Sequence, residues 1–251
     1  MAVHEDRRCY VYGIVREADA ETPPALVGVD GESVTAVPGG GLAAIVSPLM
    51  DGDLRMGRTD VLAHSEVVQA LSADRDVIPV RLGSVYESPA QVKEQLLERN
   101  RRALGDRLDD LAGMVEVQVK ATYVEEAIVA EIVSRDRRLR RLREASRAGQ
   151  DYAARVELGR RFATVLDARR EQDSREMRRA LGRFAAQVEP SPPTVDFALA
   201  TMAFLVSRSK LDDFDGAVQR FVAGSAGRIT VRCVGPVAPY SFVGAALPGV
   251  G

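Results

Sequence analysis

Histidine is the side chain that most readily moves protons near neutral pH, and this chain has two, His4 and His64. His4 sits in a charged N-terminal stretch, MAVHEDRRCY. His64 lies close to Glu66, near the start of a helical pattern. Acid–base catalysis by that pair needs a nucleophile and a group to orient the ring, and the pattern places neither. His64 is therefore expected as a surface or interface histidine. Asp212, Asp213 and Asp215 form a tight acidic cluster. A calcium loop would add oxygen ligands at further fixed spacings and a central glycine, and these are missing. The same acids open a helical pattern, where they complement the dipole and cap free amides. Cys9 and Cys233 each lie in an apolar, β-branched run with no second thiol or histidine at metal spacing. Both are expected as buried thiols in strands, in a reducing cytoplasm. Gly-x-Ser-x-Gly, the phosphate loop, Gly-x-Gly-x-x-Gly and His-Glu-x-x-His are all absent from the sequence. The chemistry expected is that of binding, with no catalytic, cofactor or metal group.

The strongest charge feature is Arg135 to Arg143, RDRRLRRLR. Between Glu131 and Arg183 there are sixteen arginines, no lysine and nine acids, a local charge of +7. The whole chain carries -2, so the remainder carries -9. Leu139 and Leu142 interleave with the arginines at core spacing, and the run has no aromatic side chain to stack on a base. Arg137, Arg138, Arg140 and Arg141 are thus expected on a solvated face or one that binds an acidic partner. A nucleic-acid-binding regulator acting through these helices is the alternative.

These side chains need elements to position them. The 251 residues are 46% hydrophobic and 28% charged, enough for one large or two small domains with real cores. Cys9 to Val15 reads as a first strand. Ser33–Val37 and Leu42–Val46 flank a Pro-Gly-Gly-Gly turn, a hairpin signal. Thr59 to Ala73 carries Val61, Leu62, Val68 and Leu71 at helical spacing, with Thr59 or Asp60 as cap. Val77–Leu82 is a short strand. Ser88 caps a helix opened by Pro89 and running to about residue 104 with Val92, Leu96 and Leu97 on one face. From Gly113 to Val124, Met114, Glu116, Gln118 and Lys120 alternate with apolar residues, as in a half-buried strand. This order predicts an α+β sheet close to a ferredoxin-like unit, domain 1–122.

The second domain, 123–251, opens with a helical hairpin over about 125–188, broken near Gly149. One arm carries Ile128, Ile132, Leu139 and Leu142, and the other Leu158, Phe162, Leu166, Met177, Leu181 and Val188. DARREQDSRE, between Leu166 and Met177, has no large apolar side chain and is expected to face solvent or a partner. Val195–Val206 reads as a strand, Leu211–Val222 as an amphipathic helix and Arg228–Val234 as a last strand. The Gly- and Pro-rich tail, 235–251, reads as irregular. The charged N-terminus lacks the apolar core of a signal peptide, and no run approaches the ~20 apolar residues of a membrane helix. A soluble, cytoplasmic protein is expected.

Several segments resemble the GvpF/GvpL family of gas vesicle proteins: Tyr10–Val15; Leu42–Ser47; His64, Glu66, Val67 and Val68; VIPVRLGSVYES from Val77 to Ser88; Val115–Lys120; Ala203–Val206; and GPVAPYSFV from Gly235 to Val243. They run in order along nearly the whole chain. Leu82 stands where the family has Phe, Thr201 where Asn is common, and Val237 and Ala238 where the ending has Trp and Pro. The resemblance implies a ferredoxin-like N-terminal domain and an α+β C-terminal domain with long helices. It also implies a minor accessory component that associates with the hydrophobic shell protein GvpA and with other accessory proteins, prevents aggregation and helps nucleate the vesicle. Uncovered apolar patches and strand edges of a shell subunit would otherwise associate. Under this resemblance Tyr240 and Phe242 join the arginine-rich helices as candidate partner contacts. The competing expectation is that both dock on their own domain.

Overall fold

A computed structural model describes residues 7–21, 26–50, 56–147, 152–192, 195 and 197–244. The chain is α+β and divides into two units, Met1–Glu116 with Gly235–Gly251, and Val117–Val234.

In the first unit the apolar run at the N-terminus forms β1 (Cys9–Arg16), nearly all of it buried. It pairs antiparallel with β3 (Leu42–Pro48), with a shift of register between Val11 and Gly13. β2 (Thr35–Gly39) pairs with β3, and the hairpin turns through Gly40 and Gly41 at φ 66° and 82°. Two successive positive φ values are what a two-residue hairpin turn asks for, and glycine supplies them without strain. β4 (Ile78–Pro79) and β5 (Val85–Tyr86) add short antiparallel pairings to β1. The sheet order is β2-β3-β1-β4. The helical elements among the described residues of the link between β1 and β2 are 3-10 turns, whereas a βαββαβ unit has an α-helix there.

Helix α1 (Arg58–Asp74) buries His64, Val67, Val68, Leu71 and Ser72. The expected stripe was wrong on one side: Val61 and Leu62 are 40% and 52% exposed. Treating His64 as polar hid the real stripe, which runs 64, 67, 68, 71 at helical spacing. The start also differs from expectation. The Asp60 carboxylate accepts the Gly57 N–H at 2.8 Å, so Asp60 sits in the first turn and Gly57 at the cap. Ser88 does cap α2 (Pro89–Gln91), its Oγ accepting the Gln91 N–H at 3.2 Å. The helix then widens into a π-type segment, Val92–Glu98, and resumes as α3 (Arg101–Asp110), past the expected end.

The second unit holds a four-stranded sheet of β6 (Met114–Tyr123), β7 (Gln187–Ser191), β8 (Ala198–Ser207) and β9 (Ile229–Val237), in the order β7-β8-β6-β9. Its core joins Val117, Val119 and Tyr123 of β6 to Phe204 of β8 and to the helices. The helices are α4 (Glu125–Arg135), α5 (Arg137–Arg147), α6 (Tyr152–Gly182) and α7 (Leu211–Gly224). The first arm of the expected hairpin is therefore two helices, broken at Asp136. The second arm ends at Gly182, and Val188 lies in β7 rather than in a helix. Phe204 and Phe214 pack with centroids 5.2 Å apart, joining α7 to the sheet.

The tail was expected with the C-terminal domain, but its described part belongs to the first unit. Ala238 and Tyr240 join that unit's core. The Ser241 N–H and Oγ donate to the Glu116 carboxylate at 2.8 and 2.9 Å. Glu116, expected on the wet face of β6, is fully buried. A buried carboxylate needs such donors.

Candidate functional site

His64 lies at the centre of a polar cluster inside the first unit. β1 brings Tyr10 and Tyr12, α1 brings the imidazole, and the tail brings Tyr240. The Tyr10 hydroxyl lies 2.9 Å from His64 Nδ1 and the Tyr240 hydroxyl 2.8 Å from Nε2. Tyr10 also accepts the Gly83 N–H at 2.9 Å. With the ring neutral, one nitrogen donates to a phenol oxygen and the other accepts a phenol proton. His64 is only 3% exposed, against the expected surface position. Burial pushes its pKa down to about 4, and pushes the Tyr10 hydroxyl up to about 12 and the Tyr240 hydroxyl up as well. Glu66 is exposed and takes no part. A neutral, saturated imidazole flanked by protonated phenols has neither a nucleophile nor a free acceptor, so the cluster is a structural tie.

The other chemical candidates also resolve as structure. Asp212 and Asp213 lie in the first turn of α7, where they complement its dipole, but no side-chain cap bond forms. No cluster of three or more His, Cys, Asp or Glu side chains that could hold a metal occurs among the described residues. Cys9 is buried, and burial raises its thiol to about 11. Cys233 is exposed on β9, contrary to expectation. β9 is an edge strand, so its apolar alternation does not guarantee burial.

The arginine-rich segment is where polar groups converge. Asp136, at the break between α4 and α5, accepts the Arg138 and Leu139 N–H groups at 2.8 and 3.1 Å through Oδ1. Its Oδ2 takes Arg161 of α6 at 2.8 Å. These donors, the Leu139 amide foremost, hold the Asp136 pKa below the usual carboxylate range. The expected solvent-facing segment 167–176 contains instead a carboxylate that is 1% exposed, Asp173. The Tyr123 hydroxyl donates to it at 2.8 Å, Arg169 at 3.0 Å and Arg228 at 3.2 Å. Arg169 and Arg228 also reach Glu131, at 3.6 and 3.5 Å. Sequence pattern missed this network because its members lie on β6, α4, α6 and the turn before β9, and only tertiary structure joins them.

The partner-contact candidates separate into two groups. Arg137, Arg138, Arg140 and Arg141 are all exposed. Arg138 pairs with Glu157 at 3.0 Å, while Arg137, Arg140 and Arg141 meet no acid among the described residues. Tyr240 is half-buried and tied to His64. Phe242 is 4% exposed. The ending therefore does not present these aromatics as an open contact.

Residues 8–244 match the sequence profile of the family described as gas vesicle synthesis protein GvpL/GvpF. The chain is 34% identical to gas vesicle protein F of Streptomyces sp. (strain CB03234), over 93% of this chain and 98% of that one. It is 30% identical to gas vesicle protein L of the same strain, over 96% and 94%. In fold it is similar to the crystal structure of GvpF from Anabaena sp. PCC7120, with a TM-score of 0.83 at 23% identity, covering 96% of this chain and 99% of that chain. No helix among the described residues is long and apolar enough to cross a membrane. With the profile spanning nearly every described residue, the chain belongs to the GvpL/GvpF family of gas vesicle synthesis proteins.

Proposed function

We propose that this gas vesicle accessory protein works by binding, not by catalysis: in the cytoplasm it holds the hydrophobic shell protein GvpA and other accessory proteins, limits aggregation of the shell subunit and assists vesicle nucleation. The observation that carries the reading is the match to a gas vesicle synthesis family over residues 8–244. The chemistry of the chain supports it. The buried His64 is neutral and saturated, and the converging charges form ion pairs rather than a reacting set.

A shell subunit awaiting assembly exposes apolar surface and strand edges, which associate unless covered. This chain offers an edge strand, β9, whose residues from Arg232 to Pro236 are exposed. Strand addition at such an edge gives main-chain affinity with side-chain selectivity. It also offers the exposed arginines of α5. Co-expression with GvpA is the test. The shell protein should move from the pellet to the soluble fraction and co-elute with this chain. A shell protein that stays equally insoluble, with no vesicle component co-eluting, contradicts the reading.

A further inference from the structure

The break between α4 and α5 opens a cleft of ≈ 450 Å³ against α6, inside the second unit. Its apolar floor is Ile132 and Val165, and its walls carry Arg135, Arg137, Arg161 and Arg169. Two acids, Glu131 and Asp136, share those walls, so the cleft has two more cations than anions. The inner cations are fixed. Arg161 is clamped on Asp136 at 2.8 Å, and Arg169 on the buried Asp173 at 3.0 Å. Arg135 and Arg137 are exposed at the rim. Arg135 shares Glu131 with Arg169 and Arg228, and Arg137 meets no acid among the described residues.

We propose that this cleft is a docking site for an acidic peptide segment of a partner protein, two carboxylates flanking an apolar side chain. The carboxylates would take the forked donors of Arg135 and Arg137, and the apolar side chain would cover Ile132 and Val165. The cleft is large enough for side chains of a peptide, and it sets a small apolar floor among charged walls. A nucleic-acid strand fits less well. The lining has no aromatic platform for a base. The buried network explains how the cleft keeps its shape. Asp173 anchors Arg169 and Arg228, and those two hold Glu131, so the wall does not depend on the ligand. The inference rests on the reading of this protein as a binding component.

The test uses the full chain and a short fluorescent peptide alternating Glu and Leu, followed by anisotropy. Binding should weaken with added salt and vanish when Gln replaces Glu in the peptide. Arg135→Glu with Arg137→Glu should weaken it by about tenfold or more. Arg178→Glu with Arg179→Glu makes the same charge change at exposed positions elsewhere on α6, and should alter it less than about twofold. Circular dichroism identifies any variant that fails to fold, and an Arg135→Gln, Arg137→Gln pair then replaces it. Absence of peptide binding, equal loss in both double variants, or tighter binding of single-stranded DNA overturns the proposal. A protein that keeps the shell protein soluble yet ignores the peptide overturns the cleft alone and leaves the accessory function standing.

Discussion

Burial decides what each polar side chain does in this protein. His64 would be the obvious acid–base group, yet its two ring nitrogens are spent on Tyr10 and Tyr240 and its pKa is near 4. The unfolded chain binds a proton at about 6.5 and the folded chain only at about 4. The unfolded state therefore holds more protons between those values, and stability falls as pH drops through that window. The contribution present above pH 6.5 amounts to about 3 kcal/mol. Urea midpoints measured from neutral to mildly acidic pH should fall more steeply for the wild type than for His64→Gln. Parallel curves would contradict the buried neutral imidazole. Gly28 is a second position where space decides the outcome. A Cβ there would lie 2.1 Å from the Tyr12 hydroxyl oxygen, which accepts the Val29 N–H at 2.7 Å and bonds Ser47 Oγ at 2.7 Å. Gly28→Ala should cost about 2 kcal/mol by displacing that hydroxyl, read as a lower chemical-denaturation midpoint.

At the scale of elements, α6 is the clearest case. Its middle turns carry no large apolar residue, yet Asp173 ties them to β6, to Arg228 just before β9 and, through the shared Glu131, to α4. Removing one member of a buried ionic network leaves its partners uncompensated. Asp173→Asn should destabilise the second unit by about 3 kcal/mol, seen as faster hydrogen exchange in α6 and β6 than in α1. Unchanged exchange would show that α6 is held by its apolar contacts alone. The same helix shows what a sequence makes legible. β1, the β2–β3 hairpin, the Ser88 cap, β8 and α7 were readable because apolar period, turn glycines and capping residues are local signals. Asp173, Glu116 and His64 were not. Each is polar and buried, and burial of a polar group depends on donors from distant elements. The Asp136 break was missed for a related reason, since Asp136 and its capping role are hidden inside a continuous basic run. Of the partner candidates, the arginines lie on the surface as their pattern suggested. Tyr240 and Phe242 do not, because the tail folds back onto the first unit.

For the whole molecule, the tail and the family membership bear on the same question, which surfaces are free for partners. Phe242 and Val243 are buried and Ser241 is held by Glu116, so the ending works as a structural strap. Phe242→Ala should lower the stability of the first unit by about 3 kcal/mol, measured by thermal denaturation, while co-elution with vesicle components persists at low temperature. Loss of co-elution with unchanged stability would return the ending to the list of contacts. The basic α5 with its cleft and the β9 edge are exposed features suited to holding other proteins. On the proposed reading, this chain assists vesicle assembly by keeping the shell protein available. The most direct measurement removes this gene alone from a cell carrying a complete gas vesicle gene set. Vesicle number is then counted by electron microscopy and soluble GvpA measured. The expected outcome is few or no vesicles and GvpA shifted to the insoluble fraction, both restored when the gene is returned. Normal vesicle numbers with GvpA still soluble would contradict it.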